Sequence, residues 1–378
     1  LVLRRAAARF FGKILKVDLI VKLLSHSSLP ALPARPSGPC RRGSAAGLWL
    51  SVVLAMTLGA ACRTVAAQAE PQPPAAGAAP ATAQAGPAES VYQKNAVVAV
   101  TPAADQTAQA VDQAAQAERI VAAALAAMGR AESISARVRQ RVRVDDRVLV
   151  GAGRYVQSGL GDDQRYRYES SMKSDTETFD LLEVCDGLFA WSYRRLGTQS
   201  PHLERLDVRR IRDRLRQLQP GDNAVVSPHL GGMQRTLGLL RNWFRFVTVE
   251  PTAIDDLPIW RIEGRWHAES LGIVLPALKE AALQPGGIAP EALPDGTPWS
   301  VRLSIGKRDL FPFRIEWLAI PGRRPVAARD PEPIAVLELY DVRLGEPVDA
   351  AAFVYKPAIE GLVDLTETHA KFLVPQRP

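Results

Sequence analysis

His202, His229, His267 and His369 stand far apart, and the folded part of the chain contains no His-Glu-x-x-His and no Cys-x-x-Cys. A zinc site needs three or four such ligands, usually at short spacings. His267-Ala-Glu269 has the His-x-Glu half of a deaminase zinc motif, but the Pro-Cys-x-x-Cys that completes it is missing. There is no Gly-x-Ser-x-Gly elbow for a serine nucleophile and no glycine-rich phosphate loop. Asp162-Asp163 and Asp255-Asp256 lie in turn-like sequence, where Asp is favoured by bonds to its own backbone. The sequence therefore assigns no catalytic residue, no metal ligand and no cofactor, and the chain is read as a protein that is not an enzyme.

A second chemistry is raised by "ARVRQRVRV" at Ala136–Val144, with Arg137, Arg139, Arg141 and Arg143 at every other position. Such a row could grip phosphates, or it could be the wet face of a half-buried strand. Whole-chain charge favours the first, with 47 Lys+Arg against 40 Asp+Glu. The excess is local, however. Leu1–Ala67 holds ten basic residues and one acidic, which leaves 37 basic and 39 acidic residues in Gln68–Pro378. A body with no net positive charge lacks what non-specific nucleic-acid binding requires. The arginines are expected on a solvated face, paired across strands with acidic neighbours, and nucleic acid is not expected as a partner.

The basic N-terminal segment has the order of an export signal. Arg41-Arg42 precede the apolar run Ala45–Ala61, and small residues follow at Val65–Ala67 and Ala67–Ala69, where a signal peptidase cuts. The competing interpretation is a retained membrane anchor, for which the run is slightly short. The chain has no Met before Met56, so Leu1 is read as a non-standard start or an over-extended gene boundary, and residues before Arg41 are left out of the fold reading. Cys62 closes "LGAAC", which resembles a bacterial lipobox with its large aliphatic residue one place early. It is a candidate for lipidation, and the alternative is a cysteine lost with the signal. Cys185 sits in a β-like run as a small apolar side chain, so no disulfide framework is expected.

These residues must be positioned by elements, and the chain divides into three parts. Residues 1–67 form the signal region. Residues 68–113 are rich in Ala, Pro and Gln, cannot bury enough surface to offset ordering entropy, and are read as a disordered linker. Residues 114–378 form one domain with no second linker and no repeat. It opens with a helix over Gln116–Ala131, whose Ile120, Val121, Ala124, Leu125 and Met128 share a face. The period then changes to two. Strands are expected near Val138–Val144, Leu149–Gln157, Arg165–Ser170, Phe179–Val184, Phe189–Arg194, Ile259–His267, Trp299–Ile305 and Phe311–Trp317. Along Ile259–His267, Trp260, Ile262 and Trp266 face one way and Arg261, Glu263 and Arg265 the other. Helices are expected at Val208–Gln217, around Gly231–Asn242 and at Leu271–Leu283. The last would place Leu271, Val274, Leu275, Leu278 and Ala282 on one face. The fold class is α+β, an antiparallel sheet with one apolar face and inserted helices.

Several of these pieces resemble the LolA-type periplasmic lipoprotein carriers. "VCDGLFAWSY" at Val184–Tyr193 is similar to that family's Asp-Gly hairpin, with Asp186, Gly187, Trp191 and Tyr193 at the matching places. "SISARVRQ", "GAGRYVQSG" and "RYRYES" resemble its first strands. The closing stretch Gly345–Thr366 carries Phe353, Pro357, Gly361 and Asp364 in the family's order. The resemblance spans about Gln116–Thr366. It implies a strongly curved, unclosed β-barrel covered by helices, with a hydrophobic cavity for acyl chains. On that basis Trp191, Trp260, Trp266, Trp299 and Trp317 are candidates for the cavity lining, with a solid core as the alternative for each. Arg167 sits where the family has an arginine that holds a helical lid closed, although Arg165 is on the same face. Leu275 and Leu278 are candidates for the lid itself, since an amphipathic helix needs an apolar surface to lie on. The long segment Ala268–Pro298 departs from the family.

The resemblance implies a non-enzymatic, exported binder or carrier of lipid or lipidated protein, in the periplasm or cell envelope. Its partners would be acyl chains or lipoproteins, with membrane association through the N-terminus. The alternative is a periplasmic regulatory protein of the kind that controls envelope-stress sigma factors, which would act through an envelope protein partner.

Overall fold

The computed structural model describes residues 103–373, apart from 145–146, 175–176, 219–229, 285–286, 295, 321–332, 359 and 372. Helix α1 spans Ala103–Arg130. Six strands follow: β1 (Ser133–Val144), β2 (Arg147–Ser158), β3 (Arg165–Lys173), β4 (Thr178–Cys185), β5 (Phe189–Leu196) and β6 (His202–Asp207). Helices α2 (Val208–Leu218) and α3 (Gly232–Trp243) come next, then the hairpin of β7 (Phe244–Ile254) and β8 (Leu257–Trp266). Helices α4 (Ala268–Val274) and α5 (Lys279–Ala282) precede β9 (Ser300–Gly306), β10 (Pro312–Leu318) and β11 (Pro333–Leu344). The described chain closes with β12 (Leu362–Asp364) and α6 (Thr366–Ala370).

All twelve strands form a single sheet in the order β12-β6-β5-β4-β3-β2-β1-β11-β10-β9-β8-β7. Its pairs are antiparallel except β12 on β6, which is parallel. Strands β12 and β7 are its two edges and do not pair with each other, so the sheet is not closed into a barrel. The fold is therefore the α+β arrangement, an unclosed antiparallel sheet with helices, that the alternating pattern predicts.

One face of the sheet carries helices and most of the core. Strict alternation places Ile262, Leu303, Ile315 and Leu337 in register across four strands on that face. Gly264, Val301, Trp317 and Ala335 form the next row. Ala117, Val121 and Ala124 of α1 and Met233, Leu237 and Leu240 of α3 are buried with them. On the opposite, open face the arginines of β1 do what the charge balance suggested. Arg137 pairs with Asp341 and Arg139 with Glu338, each at 3.4 Å, across the β1–β11 ladder. The same alternation of sign continues on this face with Arg314–Glu316 at 3.0 Å and Arg302–Glu263 at 2.8 Å.

Three expectations change. Helix α1 begins at Ala103 rather than Gln116, inside the segment read as linker. Ala has the highest helix propensity, so the composition that cannot build a core can still propagate a helix, and residues 109–113 of it are exposed. The helix expected over Leu271–Leu283 is broken. Pro276 has no N–H to donate and crowds the preceding turn, and the chain passes through a 3₁₀ turn at Pro276–Leu278 between α4 and α5. Strands β6, β7, β11 and β12 went unread; β7 carries a register shift between Phe246 and Thr248 that interrupts its alternation.

Candidate functional site

The helix-covered face changes character along the sheet. From β7 to β11 it is apolar, whereas from β2 to β6 polar groups replace the aliphatic ones. Ala136, Tyr155, Tyr168, Glu183, Ser192 and Glu204 lie in one register row across six strands. Tyr155, Tyr168 and Glu183 are buried. Burial pushes both tyrosine hydroxyls above their ordinary range, so both stay neutral. Tyr155 donates to Gln157 Oε1 at 2.6 Å, and Gln140 Nε2 donates to the Tyr168 oxygen at 2.6 Å.

Helix α3 is docked on this polar half. Its Gly232 N–H donates to Glu183 Oε2 at 2.8 Å, and Gln234 Nε2 donates to Gln164 Oε1 at 2.8 Å and Gln157 Oε1 at 3.1 Å. Gln157 in turn donates to the Met128 carbonyl at the end of α1 at 2.8 Å. The approach needs glycine. A Cβ at Gly231 would lie 2.1 Å from the Tyr166 hydroxyl, and Gly232 has φ +66°. Burial raises the Glu183 carboxyl above its ordinary value, opposed by Arg235 and by the Gly232 hydrogen bond. Glu204 behaves differently. Burial works against its charge, but the His202 hydrogen bond at 3.0 Å and Arg194 at 2.7 Å outweigh burial and hold it below the ordinary range.

Beside this network lies a cavity of about 40 Å³ among the described residues, lined by Glu183, Trp191, Ser192, Glu204, Arg235 and His369 among others. Ligand sites for molecules of drug or lipid size run to roughly 300–1,000 Å³. The volume suits one or two waters, and an acyl chain does not fit without movement of the covering helices.

The five tryptophans separate. Trp260, Trp266 and Trp317 point to the helix-covered face, as the alternation requires. Trp317 is fully buried and Trp266 stacks on Trp243 and leans on Phe244, its Nε1 donating to the Pro298 carbonyl at 2.7 Å. Trp317 is enclosed in the core, and Trp266 packs at its border. Trp260 is half-buried with the Lys307 ammonium 4.6 Å above its ring, and Trp299 lies under the Arg265 guanidinium at 4.9 Å. Trp191 is on the opposite face from its strand neighbours Ala190 and Ser192. It packs against Phe189 and Tyr355, with Arg205 over its ring.

Arg167 also faces the open side. Its Nε reaches Glu169 at 2.9 Å and its Nη1 donates to the Ala352 carbonyl at 3.4 Å. Ala352 lies in the 3₁₀ turn Ala350–Phe353, part of a C-terminal strap over residues 350–355 whose Phe353 is buried and whose Tyr355 packs on Trp191. Leu275 is buried and Leu278 half-buried on either side of Pro276, next to α4, which bonds to the end of α3 through Ser270 Oγ and the Asn242 carbonyl at 3.1 Å. Cys62 and the rest of the signal region lie outside the described residues. Cys185 is buried, and burial pushes its thiol up to about 12. Glu183, Gln157, Gln164 and Gln234 were missed, although Glu183 shares its strand parity with Phe179, Leu181 and Cys185 and so had a sequence signal for burial.

Among the described residues no group of His, Cys, Asp and Glu is arranged to hold a metal ion, and no helix is long and apolar enough to cross a membrane. No protein-family model and no curated protein sequence matches the chain. Solved structures do. LprF from Mycobacterium bovis is similar at 12% identity over 62% of this chain and 95% of its own, with a TM-score of 0.31. A domain described as an outer-membrane lipoprotein-sorting protein, from Vibrio parahaemolyticus, is 10% identical over 63% and 97%, with a TM-score of 0.24. The Mycobacterium tuberculosis lipoprotein LppX is 10% identical over 62% and 98%, with a TM-score of 0.25. At such scores these structures add no weight of their own, and the fold rests on the strand order and register.

Proposed function

We propose that this is an exported, non-enzymatic protein that binds the acyl chains of a lipid or a lipidated protein beneath the helices on its sheet. The observation that carries the reading is the unclosed sheet with a wide apolar half, β7 to β11, whose buried side chains share one core with those of the covering helices. Helix-to-sheet contacts of this kind can part without breaking a strand ladder, which an acyl chain needs in order to enter. Leu275 and Leu278 belong to the part of the cover beside α4, and Trp260 is the candidate lining residue with ring surface still accessible. The N-terminal signal would place the protein in the periplasm or cell envelope, with Cys62 as the site of any lipid anchor and 68–102 as tether.

The test is mass spectrometry of organic extracts from protein purified without detergent from its native envelope. Stoichiometric lipid or lipopeptide is expected. Protein that is lipid-free and co-purifies with a stable second chain would overturn the reading and point to a regulatory protein acting through a partner.

A further inference from the structure

The β7 edge of the open face carries an arrangement that acyl binding does not use. Strands β7 and β8 place Arg245 directly opposite Arg265. Opposed side chains on adjacent strands lie roughly 4.5–5.5 Å apart at Cβ, and like charges there repel. Elsewhere on this face arginines meet carboxylates, as at Arg302–Glu263, Arg314–Glu316 and Arg139–Glu338. Arg245 and Arg265 have no ion-pair partner among the described residues, and the nearby Glu263 is engaged by Arg302 through two nitrogens at 3.1 and 2.8 Å. Arg265 is also fixed in place. Its guanidinium lies 4.9 Å over the Trp299 ring, and its Nη1 is buried with no protein acceptor. Buried guanidinium donors are normally satisfied, and a stacked one cannot swing out to reach water without giving up the ring.

We propose that Arg245 and Arg265, with Trp299 as the wall, bind a phosphate group. Two guanidinium forks on adjacent strands can donate from two sides. A tetrahedral oxyanion accepts in several directions at once, while a carboxylate is used up by a single fork. Arg245 is exposed, so the group enters from solvent and becomes clamped against the half-buried Arg265. The phosphate can be free in solution or part of a lipid headgroup, and the chemistry of recognition is the same.

Inorganic phosphate is titrated calorimetrically into the purified chain at low ionic strength. In parallel, co-sedimentation is measured with phosphatidylglycerol vesicles and with vesicles of phosphatidylcholine alone. Arg245→Gln and Arg265→Gln should each weaken binding at least tenfold, while Arg137→Gln, an exposed arginine on the same face, should leave it unchanged. Saturable phosphate binding that competes with vesicles identifies the free group as sufficient. Binding to phosphatidylglycerol vesicles alone identifies a headgroup at a surface. Absence of both, or binding that Arg245→Gln leaves intact, overturns the proposal. Arg245 is on the surface, so its variant keeps the test decisive even if Arg265→Gln fails to fold. Fatty-acid binding should be the same in Arg245→Gln and the parent, which separates this site from the acyl site.

Discussion

Leu237→Ala tests whether an acyl chain enters beneath α3. Leu237 is fully buried on the sheet side of that helix, in the same core as Met233 and Leu240. Leu→Ala changes in cores cost about 2.7–5.0 kcal/mol, rising by about 24 cal/mol for each Å³ of void that persists. That spread corresponds to a void of roughly 100 Å³ when the surroundings do not collapse. The packed helices on one side and the hydrogen-bonded sheet on the other resist collapse, so a cost of about 3–4 kcal/mol is expected. For a domain of this size each kcal/mol moves Tm by about 2–4 °C, which gives a drop of roughly 6–16 °C. A saturated fatty acid whose chain lies beneath α3, with a few of its methylenes in the void, should restore much of it. At a free concentration of 100 Kd the ligand contributes about 2.7 kcal/mol. Thermal melts with and without palmitate, beside titration of a fluorescent fatty acid, read both effects. The expected result is tighter acyl binding in the variant than in the parent, together with a larger ligand-induced rise in Tm. A folded variant that is destabilised as calculated but binds no acyl chain, in parallel with a parent that binds none, would refute the roof as an entry point.

Three further outcomes are expected. Glu183 has a folded-state pKa raised above its ordinary 4.5, chiefly by burial, so its contribution to stability is fully present below about pH 4.5 and is lost as pH rises through the folded value. Glu183→Gln stays neutral, and its Tm relative to the parent should climb from pH 4 to pH 8; a difference that does not change with pH would contradict the buried carboxyl. Trp191→Ala should cost about 2–3 kcal/mol in chemical denaturation, less than the 3–5 of a fully enclosed aromatic, because Trp191 is half-buried between Phe189, Tyr355 and Arg205. A loss under about 0.5 kcal/mol would mean that the strap does not hold it. Finally, N-terminal sequencing of protein from the native envelope should find a start near Gln68 or Glu70, or a lipidated Cys62, and a cytosolic protein with residues upstream of Arg41 intact would end the export reading.

Where side-chain period decided the structure, the sequence was enough. Trp260, Ile262, Val301, Leu303, Ile315 and Trp317 alternate with charges, and each falls on the face its parity requires. The four arginines of β1 were placed correctly for the same reason. What escaped was burial of polar groups. Tyr155, Gln157 and Glu183 have the strand parity of the core, but single residues of these types are usually exposed, and their partners Gln164 and Gln234 come from other elements. Only long-range contacts make their burial affordable in free energy. Trp191 shows the complementary limit. Its side of the sheet would be wet but for a strap more than 150 residues later, and no local pattern reports that.

The two halves of the helix-covered face hold α3 by different means, and this decides which part can move. At its N-terminus α3 is fixed by directional bonds from Glu183, Gln157 and Gln164, in a fit so close that Gly231 admits no Cβ. Breaking these leaves buried donors and acceptors without partners, at about 1–3 kcal/mol each. Further along, Leu237 and Leu240 meet the sheet through dispersion and apolar burial, which an acyl chain replaces in kind as it enters. Parting there exchanges one apolar contact for another, whereas parting at the N-terminus leaves polar groups unpaired. An acyl chain should therefore enter beneath the middle of α3, around Leu237 and Leu240, because the C-terminal end is tied as well: the His267 N–H donates to the Trp243 carbonyl at 2.8 Å and Ser270 Oγ to the Asn242 carbonyl at 3.1 Å.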